Sequence, residues 1–204
     1  MLPLIVSTCT GVFVRFLVRI GTSYIVVAGM FCTAIINLSN FFITLGSDSI
    51  YLNLGTLAAF NLFVWNWSFI IYSLVSTMIL MVTTISFVIH LYSCSYMKQD
   101  PHSIRFLTYL TLFTFFMLLF VSAGNLLQMF LVLEWIVVCS YLLINFLFSL
   151  IQANKSAIKA MLMNKIVYAG LLISFSILFF IVKNIDFAVI FSTNTLISYR
   201  YFWD

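Results

Sequence analysis

Long apolar runs, broken only by short clusters of charged or turn residues, decide what this chain can fold into. Six of them follow one another, at about 2–18, 24–45, 67–92, 106–123, 125–148 and 158–183. Each comes close to the roughly 20 residues that a helix needs to cross a hydrocarbon layer about 30 Å thick. Composition agrees, since 7% of the 204 residues are charged and 64% are hydrophobic. A soluble domain carries roughly 25% charged residues. So few charges cannot cover a surface in water, which excludes a cytosolic globular enzyme, a disordered linker and a nucleic-acid-binding domain. The expected fold class is an all-α integral membrane protein of about six transmembrane helices.

The segments between the runs are short. Residues 49–66 are apolar but interrupted by Asn53, Gly55, Asn61 and Asn66. Their alternation of apolar and polar residues allows an interfacial hairpin rather than a span. A polar loop from Ser93 to Arg105 contains Asp100-Pro101-His102, and only Gly124 and Asn125 separate the fourth run from the fifth. The expected organisation has three parts. Residues 1–66 hold two spans and an interfacial connection, 67–183 hold four spans, and 184–204 form a C-terminal tail. Met1 leads directly into Leu2-Pro3-Leu4-Ile5-Val6 without the basic region of a signal peptide. The 23 Phe and 10 Tyr are a bias of the kind an AT-rich organellar genome produces.

Basic residues report orientation. With alternating spans, Arg15, Arg19, Lys98, Arg105, Lys155 and Lys159 fall on one side, and Lys183 with Arg200 on the other. Such a bias marks the cytoplasm-like side, the matrix in a mitochondrion, and sets the N-terminus opposite.

Glu134 is the residue least at home in its surroundings, an acid near the middle of the fifth run. Placing it there costs about 2.5–3.5 kcal/mol on insertion scales. At about 100° per residue, Tyr141, Asn145 and Gln152 fall within about 20° of it on one continuous helix. One reading is a buried neutral acid bonded to a polar neighbour; the other is a proton or ion path. A second stripe, Tyr72, Ser76, Thr83 and His90, lies on the third run, where His90 serves either as a proton relay or as packing glue. Lys165, beside Asn164 and one turn before Tyr168, needs a partner, water or a lowered pKa at its depth, and Glu134 is a candidate partner. Lys155 and Lys159 read as a solvated helix end. The widely spaced Cys9, Cys32, Cys94 and Cys139 read as packing residues. Without a nucleophile triad, a phosphate-binding glycine loop, a haem pair or a metal-ligand cluster, no catalytic residue, cofactor or metal is expected in this chain.

These residues carry a resemblance. His90-Leu91-Tyr92-Ser93, Tyr96-Met97, Asp100-Pro101-His102, Arg105-Phe106 and Leu112 to Met117 resemble NADH dehydrogenase subunit 5. Asn125 to Leu131, Glu134, Cys139 to Phe146, Ile151 to Lys155 and Ala157 to Leu162 continue it. Coverage is good over about 84–165 and weaker over about 67–190, so 67–183 matches the start of an antiporter-like helix core. The family is the distal, antiporter-like, proton-pumping subunit of respiratory complex I. The resemblance implies a proton path through Glu134, which in the family pairs with a lysine on a broken seventh helix. It also implies that Lys165 matches the family's basic residue on the sixth helix. Lys165, His90, Tyr141 and Asn145 complete the candidate path.

The sequence also departs from the family. Family aspartates are replaced by Tyr72 and by Gly124, the acid following the sixth-helix basic residue is replaced by Tyr168, and the run around the acid is Val132-Leu133-Glu134-Trp135-Ile136-Val137. Family members have about fourteen or more spans, so a split or truncated subunit is expected. Its partners would be the other membrane-arm subunits, a separate chain carrying the remaining helices, and membrane lipids, with no nucleic acid. The expected location is the mitochondrial inner membrane. Two alternatives stand beside this one: a structural membrane-arm subunit with a silenced path, and a subunit of a multisubunit cation/proton antiporter.

Overall fold

The computed structural model describes residues 1–12, 19–46, 49–60, 63–100, 102–146 and 150–193. Among the described residues the main elements follow in order: α1 (Leu2–Val12), α2 (Arg19–Gly46), a hairpin of β1 (Ile50–Phe60) and β2 (Phe63–Ile71), α3 (Ser73–Tyr96), α4 (Ser103–Val121), α5 (Leu126–Ile144) and α6 (Ile151–Val182). Five of them, α2 to α6, are long and apolar enough to cross a membrane. The sequence led us to expect six. Of the first expected span, about 2–18, the described residues cover α1, an apolar helix of 11 residues. Residues 13–18, with Arg15, lie outside the described residues, as do Asp48, Arg200 and Asp204.

The helices run up and down. The N-terminus lies beside the hairpin, where Met1 shares a cavity wall with Leu52, Leu54 and Phe69. Tyr24 of α2 meets Met97 and Lys98 at the opposite end. That end, where Lys98 and Arg105 sit, is called the basic end here, and the other the hairpin end.

Packing is inverted relative to a soluble protein. Ser7, Thr10, Thr33, Thr83, Thr111 and Thr114 are buried, whereas Phe31, Phe42, Met81, Val88 and Phe180 face outward. Lipid tails are as apolar as leucine, so small residues that let helices approach closely define the interior. The buried hydroxyls satisfy themselves on their own helices: Thr10 donates to the Val6 carbonyl at 2.8 Å and Thr114 to that of Thr111 at 2.7 Å. Some also cross between helices: Thr44 Oγ1 of α2 donates to Ser76 Oγ of α3 at 2.7 Å, and Thr108 Oγ1 of α4 to Thr10 Oγ1 of α1 at 3.4 Å.

The hairpin that the alternation allowed is present and longer than expected. β1 and β2 pair antiparallel from Ile50↔Ile71 to Phe60↔Phe63, with irregular register at Asn53/Gly55 and Thr56/Ala58. Gly55 takes φ +139°, which a side chain would oppose, and its N–H bonds to Asn53 Oδ1 at 3.1 Å. Residues 67–72, assigned from sequence to the third span, therefore belong to the strand and its exit. Alternating aromatics explain this: Trp65, Trp67 and Phe69 follow one another along one strand face, tilted or edge-on at 6.5 Å spacing.

The hairpin is stitched to the helix ends. Ile70 N–H donates to the Ser122 carbonyl at 3.1 Å, and Gly124 N–H to that of Ser68 at 3.0 Å. On the other edge Leu126 N–H reaches the Ile185 carbonyl at 3.0 Å, and Phe187 N–H reaches that of Gly124 at 3.3 Å. The α4–α5 linker is thus an extended piece held between β2 and the segment after α6. The expected tail is partly ordered structure, because residues 187–193 are helical. The sixth span begins at Ile151 instead of about 158, since Gln152, Ala153 and Lys155 are good helix formers.

Candidate functional site

α5 sets the position of the central acid. Asn125 caps it, its Oδ1 accepting from the Gln128 N–H at 3.0 Å, and the helix then runs unbroken for 19 residues. Glu134 is near its midpoint. From α6, Lys165 Nζ approaches Glu134 Oε2 to 3.7 Å. The acid side chain is 29% exposed and the lysine 56%. The candidate partner suggested by the sequence is thus in place, and the ion pair lies within this chain. At such exposure in water the pair would contribute about 0–1 kcal/mol; its consequence is that neither charge stands alone at this depth.

Aromatics frame the pair. Tyr168, buried on α6, donates its hydroxyl to the Leu133 carbonyl at 3.4 Å. Phe130, one turn before Glu134, lies edge-on to both Tyr168 and Phe175, with ring centroids 6.1 Å apart. Trp135 turns the other way and stacks on Phe116 of α4 at 5.8 Å.

Toward the basic end the same face of α5 carries Tyr141, half-buried, and then Asn145, which ends the helix with its N–H on the Tyr141 carbonyl at 2.9 Å. Asn145 Oδ1 is buried without a hydrogen-bond partner among the described residues. It lines a cavity of about 230 Å³ with His102, Arg105, Tyr109, Leu142 and Phe146. Gln152 leaves this stripe, because α5 stops at Ile144 and residue 152 starts α6. Periodicity carried across that break misplaced it. Tyr72 likewise leaves the second stripe: it precedes α3 in extended backbone, at φ −121° and ψ 174°.

His90 is fully buried on α3, with Nδ1 2.6 Å from the Ser86 carbonyl and Nε2 lacking a partner among the described residues. It does not join Glu134. α3 packs on α2 and α4, whereas α5 packs on α4 and α6, so α4 stands between the two. Sequence reasoning missed the polar knot at the hairpin end. There Asn125 and Gln128 are fully buried, Asn125 Nδ2 donates to the Asn66 carbonyl at 2.7 Å, and Gln128 Oε1 accepts from the Ser68 N–H at 3.2 Å. The Asn-x-x-Gln spacing of a helix cap was the available signal. Among the described residues no three His, Cys, Asp or Glu gather as metal ligands.

Comparison with known proteins matches this arrangement to one group. The family described as NADH-ubiquinone oxidoreductase (complex I), chain 5 N-terminus, matches residues 58–107. The transmembrane family of NADH:quinone oxidoreductases and Mrp antiporters matches 123–202. NADH-ubiquinone oxidoreductase chain 5 of Triticum aestivum is 42% identical over 192 residues, covering 94% of this chain. The chain belongs to the NADH dehydrogenase subunit 5 family. The Dictyostelium discoideum chain 5 is 41% identical over 198 residues, 97% of this chain. The present chain spans 29% and 30% of the lengths of these two relatives, matching the N-terminal part of the subunit. In fold it is similar to a chain of a membrane-bound sulfane sulfur reductase, an archaeal respiratory membrane complex. The TM-score is 0.80 at 15% identity, over 93% of this chain and 38% of the other. The likeness to the sulfane sulfur reductase chain shows the fold, and the matching transmembrane family is one shared by NADH:quinone oxidoreductases and Mrp antiporters.

Proposed function

We propose that this chain is the N-terminal piece of the proton-pumping distal subunit of mitochondrial NADH:ubiquinone oxidoreductase. In this reading it resides in the inner membrane and carries no redox chemistry of its own. Glu134 is the proton-carrying group, Lys165 its charge partner, Tyr141 and Asn145 its route toward the basic end, and His90 a separate buried relay. One observation carries the reading: an acid and an ammonium 3.7 Å apart at the middle of two apolar helices. When Glu134 takes up a proton, the ammonium loses its counter-charge and a field change passes to neighbouring helices. The further helices of the subunit would cover α6.

A structural role is the second reading, favoured by a specific observation. At Gly124, where the family has an acid, a side chain would collide with Ser68 Oγ and come within 2.9 Å of the Ser68 carbonyl. Tyr168, at another lost acid, serves as packing. A subunit of a multisubunit cation/proton antiporter is the third.

Glu134→Gln separates them, because glutamine keeps shape and hydrogen bonding but cannot carry the proton. The expected outcome is an assembled complex that pumps fewer protons per NADH oxidised. An unchanged ratio in the assembled complex supports the structural role. Pumping that follows sodium instead of NADH oxidation supports the antiporter.

A further inference from the structure

We propose that the cavity of about 230 Å³ between the start of α4 and the end of α5 is a phosphate site, and that it takes the headgroup of an anionic phospholipid from the leaflet at the basic end. The site is separate from Glu134 and stands whether or not that acid carries protons.

The two walls of the cavity differ in chemistry. His102, Arg105 and Tyr109 come from α4, the first of them as its N-cap, at spacings that put all three on one helix face. Leu142, Asn145 and Phe146 come from the end of α5, again at spacings that share a face. Phe106 holds the Phe146 ring from the side, edge-on with centroids 5.2 Å apart. One wall thus offers a guanidinium, an imidazole and a phenol, and the other is apolar but for one amide. A ligand that suits both has an anionic part and a hydrocarbon part.

Charge points to the same ligand. Arg105 is exposed, and among the described residues no carboxylate pairs with it, in contrast to Lys165 on Glu134. Its planar fork of N–H donors matches the oxygens of a phosphate two at a time. Tyr109 and His102 carry further donors for the remaining oxygens.

Depth and size favour a lipid over a soluble anion. α4 begins at Ser103 and α5 ends at Ile144, so the cavity lies where two candidate spans meet the headgroup layer. Tyr109 stands about 9 Å inside the α4 start, a polar tip on an apolar ring of the kind enriched at that boundary. Basic pockets between transmembrane helices on the Lys- and Arg-rich side bind the head groups of anionic lipids. At about 30 Å³ per water the space would hold about seven. That is enough for a phosphate and its glycerol ester, with the acyl chains running past Leu142 into the bilayer.

The assembled complex in mild detergent tests this with a photoreactive phosphatidylglycerol whose crosslinker sits in an acyl chain next to the glycerol. Crosslinks read by mass spectrometry should fall on residues 102–109 or 142–146. An excess of unlabelled phosphatidylglycerol should suppress them several-fold, and the same concentration of inorganic phosphate should not. Arg105→Gln should lower their yield several-fold, and Arg105→Lys, which keeps the charge without the fork, should lower it less. Glu134→Gln should leave the yield unchanged, which separates this site from the proton-carrying role. Where Arg105→Gln assembles poorly, Tyr109→Phe, expected to lower the yield about two-fold, and the competition in the unaltered complex decide. Crosslinks absent from both stretches, surviving in full in Arg105→Gln, or left in place by excess phosphatidylglycerol overturn the site. Suppression by inorganic phosphate as strong as by the lipid assigns the cavity to a soluble anion and overturns the lipid. Suppression by phosphatidylcholine as strong as by phosphatidylglycerol overturns the anionic headgroup.

Discussion

At the scale of single residues, a charge in an apolar run is the loudest signal a sequence can give. Glu134 and Lys165 stood out for that reason, and Lys165 lies 3.7 Å from the acid. His90 was visible as an outlier too, but its separation from Glu134 by α4 depends on helix packing order, which spacing does not encode. Gln152 and Tyr72 were misplaced because a helical wheel presumes an unbroken helix, and each lies just beyond a helix end. Gly124 shows the opposite case, a residue whose meaning only the fold reveals. Its missing side chain lets the Ser68 carbonyl accept from its N–H at 3.0 Å. Gly124→Ala should therefore destabilise the hairpin end by about 1–3 kcal/mol. The midpoint temperature at which the subunit leaves the detergent-solubilised complex should fall, and Ser68→Gly in the same chain should restore part of the loss. An unchanged midpoint in the single variant contradicts the close approach.

Among the elements, the apolar helices were legible to within a turn or two, because length and hydropathy define a span. The hairpin was legible as alternation but not in extent. Trp67, Phe69 and Ile70 suit a strand and a membrane helix equally, and cross-strand pairing with β1 decided between them. The segment after α6 read as a loop, since backbone pairing between 124–126 and 185–187 leaves no trace in composition. That pairing gives the hairpin end a pH dependence. Burial pushes the Asp186 carboxyl above its ordinary value, and its Oδ1 is buried without a partner among the described residues. The folded state then holds its proton more tightly than the unfolded chain does. The stabilisation is complete below the ordinary carboxylate value of 3.8 and is lost as pH rises through the raised one. Amide exchange at Leu126 and Phe187 should accelerate beyond the intrinsic rate over that window, and Asp186→Asn should remove the effect. The same acceleration in the Asn variant would assign it to another group.

For the whole molecule, the inverted packing explains both what could be read and what could not. A chain with small polar residues inside and large apolar ones outside betrays the bilayer in its composition, yet its interior looks like any other hydroxyl-rich stretch. α6 is the element least covered by the rest of the chain: Met163, Ile166, Val167, Ile173 and Phe180 are exposed, and so is Lys165. Apolar residues there suit lipid or neighbouring helices, but an ammonium suits only a protein neighbour or water. Native electrophoresis of mildly solubilised membranes should place this chain in a large respiratory assembly. A monodisperse monomer without respiratory subunits contradicts it. The proton-carrying role of Glu134 has the most direct test in redox-triggered infrared difference spectra of the assembled complex. A carboxylic-acid carbonyl band that changes on NADH oxidation, disappears in Glu134→Gln and shifts in Lys165→Met is the expected result. A difference spectrum in which Glu134→Gln leaves every carbonyl band in place would show that this acid keeps one protonation state throughout turnover, and the pair would then be a structural contact.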